Sequence, residues 1–376
     1  MSTEPSLSPL ALPQGTRVLV HSFAESPLEA IENNMELVAM DAPDVTKLGA
    51  SDVVVAVKSA SVGWVDLLMT SGQYQHMPKP PYCPGLEYAG VVVWAGREAK
   101  GVAIGERVLV DPFLAGPRSI GAYQAYGGFA SYAVSPAEAI RALPKTVSCD
   151  QACNLLGNYE TAYHCLVTRG KVQPGETVLI LGASGATGLA AVHIAKLLGA
   201  NVIATGRSDE KLAVVKAEGA DHVINTSSAE GLRPFRDEVK ALTGGLGVDV
   251  VYDGVGGESS LESLRAVKFG ARYLIVGWAS TPFVAKGRGG RGAPNANQLP
   301  TNLIMMKGLD VLGCPTVIST IMNPALREDR IRQVWSWVTS GQIRPLVSRT
   351  LPLSEFKEAM RAKWRSEVVG GIVLHP

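Results

Sequence analysis

Three glycines spaced three apart, Gly182, Gly185 and Gly188, follow the apolar run Val178-Leu179-Ile180-Leu181 and precede another, Leu189-Ala190-Ala191-Val192. A strand entering a glycine turn that opens a helix suits a dinucleotide. The unpaired N–H groups and positive dipole end of a helix start hold the diphosphate charge. Glycine removes the Cβ atoms that would block backbone approach. The candidate contacts are Gly182, Ser184, Gly185, Ala186, Thr187 and Gly188. A tight turn with no ligand is the alternative. The flanking strand and helix, and the alternating elements that follow, favour the nucleotide.

The next apolar run bears on which dinucleotide. A site for NAD usually ends its second strand in Asp or Glu, which bonds the ribose 2′-hydroxyl. Here the run ends Thr205-Gly206-Arg207-Ser208, with no acid at the tip. Arg207 can neutralise a 2′-phosphate, Ser208 can donate to it, and Lys211 adds a third contact one helical turn on. The alternative is that Arg207 and Lys211 are solvated surface charges. Asp209 and Glu210 read as first-turn helix residues. The expected cofactor is NADPH.

These residues need a framework. The first third of the chain is β-rich, with short runs at 18–20, 53–57, 88–94, 107–110 and 130–134 punctuated by Gly, Pro and Asp. That pattern suits a partly antiparallel, barrel-like domain. From 151 to 169 the spacing predicts a helix. Strands are then expected at 177–181, 201–204, 222–224, 248–252, 273–276 and 308–313, with helices at 188–198, 209–218, 234–242 and 259–267 between them. Apolar strands alternating with helices indicate a parallel sheet covered on both faces. Helices at 329–339 and 353–362 and a strand at 371–374 do not extend that sheet, so the C-terminal segment is expected to return to the first domain. The segment 286–292, Lys-Gly-Arg-Gly-Gly-Arg-Gly, reads as a basic loop. It has two readings, recognition of coenzyme A phosphates or an insertion without a ligand.

Composition sets outer limits. The 376 residues exceed one ordinary core, which makes two domains the natural expectation. The formal net charge is only +1, which gives no global reason to expect nucleic acid or an anionic membrane. No apolar stretch reaches the ~20 residues that span a bilayer. The five cysteines, Cys83, Cys149, Cys153, Cys165 and Cys314, form no CxxC pair and argue for a reducing compartment. Residues 1–14 lack the pattern of a secretory signal. The expected location is the cytoplasm. Among the six histidines, His164 and His193 fall in helices and read as packed or surface residues.

Several motifs, in order, carry a resemblance. They are Trp64-Val65-Asp66, Gly72-Gln73-Tyr74, Pro84-Gly85-Leu86-Glu87 and Gly105-Glu106-Arg107, then Gly127-Gly128-Phe129, Asn158-Tyr159-Glu160-Thr161 and the glycine turn, and finally Asp253-Gly254-Val255-Gly256-Gly257 and Pro300-Thr301-Asn302. As a set they resemble the zinc-free quinone oxidoreductase branch of the medium-chain dehydrogenase/reductase family, over nearly the whole chain. The resemblance implies an α/β fold with a Rossmann doubly wound parallel sheet, residues 151–315, inserted in a β-rich GroES-like catalytic domain, residues 1–150 plus 316–376. It implies a cofactor in the cleft, hydride transfer from nicotinamide C4, and a homodimer joined through the sixth strand of each nucleotide domain.

The resemblance also assigns site residues. Tyr74 matches a tyrosine that related enoyl-thioester reductases use, as proton donor or hydrogen-bond partner of an enolate oxygen; its other reading is a rim aromatic. Trp64 departs from the relatives, which carry other residues there beside an asparagine that is Gly63 in this chain, and it reads as narrowing the substrate pocket. Tyr159 and Thr161 lie where the family contacts the nicotinamide, and Asn158 near substrate or ribose. Gly256, Gly257, Gly277, Trp278 and Ala279 close the carboxyl edge of the sheet, and Asn302 lies near the cofactor. Asp66 is expected to bond nearby backbone, and Glu87 is a former zinc ligand kept for packing or contact. The family's zinc-binding Gly-His-Glu reads Gly85-Leu86-Glu87, and leucine cannot ligate. Without a Lewis acid the fitting acceptor is an already polarised one. The expectation is therefore a metal-independent reductase of quinones or α,β-unsaturated carbonyls. An enoyl-thioester reductase, or an NADPH-binding protein without turnover, is the alternative.

Overall fold

The computed structural model describes residues 12–74, 77–119, 121–280 and 297–376. The basic segment 286–292 lies outside them. The chain divides into two compact units, residues 1–153, 350–364 and 373–376, and residues 154–349 and 365–372.

The first unit is built on antiparallel strands. Asp52–Ser61 is its spine, pairing with Tyr88–Ala95 on one side and with Gly371–His375 through Ser61 and Ala60 on the other. Tyr132–Pro136 also runs along it, and Arg107–Val110 and Ile140–Ala142 extend the sheet beyond Tyr88–Ala95. Val53, Val54 and Val55 are fully buried, which explains why this valine run forms the centre rather than an edge. A separate hairpin joins Gly15–Val20 to Met35–Met40.

The second unit holds a six-stranded parallel sheet in the order His222–Asn225, Asn201–Gly206, Thr177–Leu181, Val248–Asp253, Val267–Ile275, Asp310–Gly313. This is the doubly wound order, whose direction reverses beside the first strand. Val178, Leu179, Ile180 and Leu181 are all buried, as a strand covered on both faces requires. The expected strands and helices of this sheet are present, with ends shifted by a few residues.

Two expectations are corrected. The segment 151–169 is not one regular helix. It comprises Cys149–Ala152, a π-helical turn at Leu156–Glu160, one turn at Thr161–Tyr163 and a second π turn at His164–Arg169. Each π turn accommodates an extra residue, a device a 3.6-residue periodicity cannot reveal. The C-terminal segment also does not return whole to the first domain from residue 316. Residues 316–349 and 365–372 group with the parallel-sheet unit. Helix Ala325–Thr339 is anchored there because Arg327 and Arg330 pair with Glu160 at 2.8 and 2.9 Å, all three side chains nearly or fully buried.

Candidate nucleotide site

The glycine turn has the geometry of a phosphate cradle. Gly182 has φ +65°, a region that disfavours side chains, and its N–H-bearing turn closes through Gly185 N–H donating to the Gly182 carbonyl at 3.1 Å. Gly185 then caps helix Ala186–Leu197. A Cβ on Gly188 would lie 2.5 Å from the Gly182 carbonyl oxygen and 2.9 Å from Ala183 Cα. Gly188 therefore lets the helix approach the strand, and its dipole points into the turn. The residues present fit a dinucleotide diphosphate.

Side chains support the turn. Thr187 donates to Asn158 Oδ1 at 3.0 Å, and Asn158 Nδ2 donates to the Asn154 carbonyl at 3.0 Å. A small pocket lined by Asn158, Tyr159, Ala186 and Gly370 opens beside the first helical turn. The segment carrying Gly370 was not foreseen here. Its N–H donates to the Ser184 carbonyl at 2.9 Å. Gly370 has φ +68°, and a Cβ there would lie 2.5 Å from the Leu346 carbonyl oxygen.

At the tip of the second strand, Gly206 is buried and a Cβ would press on Leu212 at 3.0 Å. Arg207 is exposed, free to meet a ligand. Ser208 and Lys211 have protein partners that sequence did not show. The Ser208 hydroxyl caps helix Asp209–Ala217 by accepting from Lys211 N–H at 3.4 Å, and the Lys211 ammonium donates to the Ser366 carbonyl. Asp209 accepts from Asn225 at 2.9 Å, in keeping with its reading as a helix-start residue.

Along the carboxyl edge, Gly256 and Gly257 both have positive φ, and Cβ atoms there would meet Trp278 at 3.1 Å and Ser280 at 2.8 Å. Asp253 organises this turn. Its Oδ1 accepts from Val255 and Gly256 N–H at 2.9 Å each, and its Oδ2 accepts from Tyr273 at 2.7 Å. Gly277 and Ala279 donate to the Asp253 and Gly254 carbonyls, which ties the two loops together. Trp278 stays 47% exposed beside them. Asn302 is exposed in the first turn of helix Thr301–Lys307.

Tyr159 requires a correction. Its hydroxyl is bonded to His193 Nδ1 at 2.7 Å, and His193 Nε2 reaches Glu218 at 2.9 Å. Only 2% of Tyr159 is exposed, so its phenol is committed to a buried chain rather than presented to substrate. His193 is a structural link between helix Ala186–Leu197 and the end of helix Asp209–Ala217. The Thr161 hydroxyl donates to the Gly157 carbonyl at 2.7 Å, as helix hydroxyls often do, and its oxygen can still accept.

In the first unit, Trp64 stacks on Trp364, ring centres 5.2 Å apart and planes within 4°. Asp66, two residues on, accepts from the N–H groups of Gly63 at 2.9 Å, Gly85 at 3.1 Å and Leu86 at 3.0 Å. It thereby pins the loop containing Leu86 and Glu87 to the start of helix Trp64–Thr70. Glu87 is buried at 7% exposure, and Tyr74 is half-buried. Among the described residues no group of three or more His, Cys, Asp or Glu could hold a metal.

Burial pushes the Asp66 carboxyl up to about 6 despite those three donors, and it pushes the Lys363 ammonium nearby down to about 8. An acid whose folded pKa exceeds its unfolded value stays protonated in the native state while the unfolded chain has already ionised. Native stability then falls as pH rises from about 4 to about 6. At about 1.4 kcal/mol per pKa unit the full effect is about 3 kcal/mol. Urea unfolding across this window should show the Asp66→Asn variant gaining on wild type by that order as pH rises. Parallel curves would mean the carboxyl titrates normally.

Comparison with known proteins fits this geometry. The alcohol dehydrogenase GroES-like domain family matches residues 49–145 and the zinc-binding dehydrogenase family matches residues 186–328. The chain belongs to the medium-chain dehydrogenase/reductase family of oxidoreductases. It is 33% identical to quinone oxidoreductase-like protein 2 of Rattus norvegicus, over 87% of this chain and 85% of that one. A quinone oxidoreductase structure from Pseudomonas syringae superposes with a TM-score of 0.74 at 27% identity, covering 96% of this chain and 100% of the other. The Escherichia coli quinone oxidoreductase complexed with NADPH shares the fold, with a TM-score of 0.74 at 24% identity, and covers 96% of this chain and 100% of that one.

Proposed function

We propose that the protein binds NADPH at the Gly182–Gly188 turn and reduces a small electrophilic alkene or quinone without a metal. The observation that carries this reading is the pairing of that cradle with a second strand that ends in the exposed guanidinium of Arg207 and not in an acid. When bound, NADPH supplies a hydride from nicotinamide C4. The helix start and the backbone of Gly182–Thr187 hold the diphosphate, and Arg207 holds the 2′-phosphate. The Gly256–Gly257 and Gly277–Ala279 loops border the nicotinamide end. Trp64, held by its stack on Trp364, narrows access for substrate. Tyr74 hydrogen-bonds the oxygen on which negative charge develops.

The test is NADPH oxidation over a panel of quinones, enals and enoyl thioesters, with NADH and a chelator as controls. Turnover of simple quinones or enones, unaffected by the chelator, is expected. Turnover confined to thioesters, or NADPH binding without any turnover, would refute it. A charge-assisted contact is worth about 1.5–3 kcal/mol. Arg207→Ala should therefore weaken NADPH binding about 10- to 100-fold and leave NADH nearly unchanged. Equal loss for both nucleotides would remove Arg207 from the 2′-phosphate.

We propose further that two copies pair through the sheet edge at Asp310–Gly313. Met305 and Met306 in the helix before this strand, and Ile318, Ile321 and Met322 in the helix after it, are 43–79% exposed and offer apolar side chains for such a contact. Light scattering should give twice the chain mass, and Met322→Lys should shift it toward the monomer. No described helix is long and apolar enough to cross a membrane, and the reading places the reaction in the cytoplasm.

A further inference from the structure

Arg118 is a cation that the first unit buries without a hydrogen-bond partner. It lies in the loop after strand Arg107–Val110 and is only 9% exposed. The turn that carries it is closed twice, by the N–H and the hydroxyl of Ser119 donating to the Gly116 carbonyl at 2.9 and 2.7 Å. Its guanidinium lies over the Phe113 ring, 4.5 Å from the ring centre. Nε is sealed from solvent with no acceptor. Among the described residues no oxygen accepts from Nη1 or Nη2 either, yet these two atoms are not sealed. The guanidinium is held by one face and open at its tip.

The acids of the same unit are engaged elsewhere. Asp111, at the start of the loop, pairs with Arg141 at 3.0 Å and accepts from Phe113 N–H at 3.0 Å. The charge of Arg118 reaches Asp66, but the two form no ion pair, and both Asp66 oxygens already take backbone N–H groups. The contact with Phe113 offsets part of the charge and takes up no N–H. Arginine does not deprotonate in proteins, so the cost of burying this charge stands until an anion from outside the chain meets it. The loop also lies beside the substrate-side residues. A Cβ on Gly116 would be 3.8 Å from the Leu86 carbonyl oxygen and 3.9 Å from the Tyr88 ring. Leu86 N–H is held by Asp66, two residues after Trp64.

We propose that Arg118 binds a carboxylate carried by the electrophilic acceptor, so that the preferred substrates are anionic enones or quinones. This rests on the reductase reading above and names its substrate class. A guanidinium presents two parallel N–H groups to a carboxylate, a geometry an ammonium lacks. Phe113 fixes the plane of that fork. A neutral acceptor leaves the cation unpaired, and the penalty falls on binding. Arg118 therefore acts on KM more than on kcat.

The test uses the full chain with NADPH and a matched pair of enones, acetylacrylate and its methyl ester. Wild type should show a KM for the acid about 10- to 100-fold below that for the ester. Arg118→Gln should abolish this preference, and Arg118→Lys, which keeps the charge without the fork, should restore only part of it. Binding is read separately, without turnover, by titrating levulinate into wild type and Arg118→Gln, and saturable binding to wild type alone is expected. Urea unfolding tests for a merely structural role. Arg118→Gln should be no less stable than wild type, because it removes an unpaired buried charge. Equal KM values for acid and ester in wild type overturn the proposal, and so does an unaltered preference in Arg118→Gln or a marked loss of stability in that variant. Displacement of levulinate by chloride at equal concentration also overturns it, as the mark of an adventitious ion only. Levulinate binding that needs Arg118, with neither enone reduced, would sink the reductase reading and uphold this site. Reduction of both enones with equal KM would do the reverse.

Discussion

Replacing Gly188 with alanine should weaken NADPH binding about tenfold or more. The added Cβ would sit 2.5 Å from the Gly182 carbonyl oxygen and 2.9 Å from Ala183 Cα, and both are backbone atoms that cannot rotate away. The helix must retreat from the strand or the turn must deform. Overpacking of this kind costs about 1–3 kcal/mol, and every 1.4 kcal/mol is about tenfold in affinity. The strain falls on the turn that would hold the diphosphate, so binding should suffer at least as much as folding. Calorimetry with NADPH and urea unfolding, run together, check this. Undiminished affinity would show that the glycine spacing serves only the fold. A matched control is Gly175→Ala, whose Cβ would meet nothing within 4 Å. That residue has φ +83°, so a modest stability loss is expected there with no change in affinity.

Replacing Glu160 with glutamine should be the most destabilising single change, about 3–5 kcal/mol. Glu160 accepts from Arg327 at 3.0 and 2.8 Å and from Arg330 at 2.9 Å, with its own side chain 3% exposed. Removing its charge leaves two guanidiniums in the interior with no carboxylate between them. The desolvation already spent on them is then unrecovered, which is why breaking a buried ion pair costs far more than its net worth. Thermal or urea unfolding of the variant reads the loss directly. A cost below about 1 kcal/mol would mean that another group neutralises the arginines.

The parts of this protein legible in its sequence are those encoded locally. The turn Gly182–Gly188 was readable because strand, glycines and helix follow one another within a short stretch, and the alternating apolar runs after it announced the parallel sheet. Asp66 was readable as a backbone anchor because its partner Gly63 is three residues away. The rest depends on contacts that spacing does not encode. Nothing near Tyr159 signals that His193 and Glu218 will claim its hydroxyl. Glu160 gives no sign of Arg327 and Arg330. The π turns at Leu156–Glu160 and His164–Arg169 leave an apolar pattern close to that of a plain helix, so their extra residues are invisible until packing is seen. Those same buried arginines tie helix Ala325–Thr339 to the parallel-sheet unit, which the spacing of the C-terminal segment did not show.

Isothermal titration of the purified chain with NADPH, and separately with NADH, bears most directly on the central claim. Saturable binding of one NADPH per chain, with NADH clearly weaker, is the predicted result. Heat from neither nucleotide, or tighter binding of NADH, would contradict it.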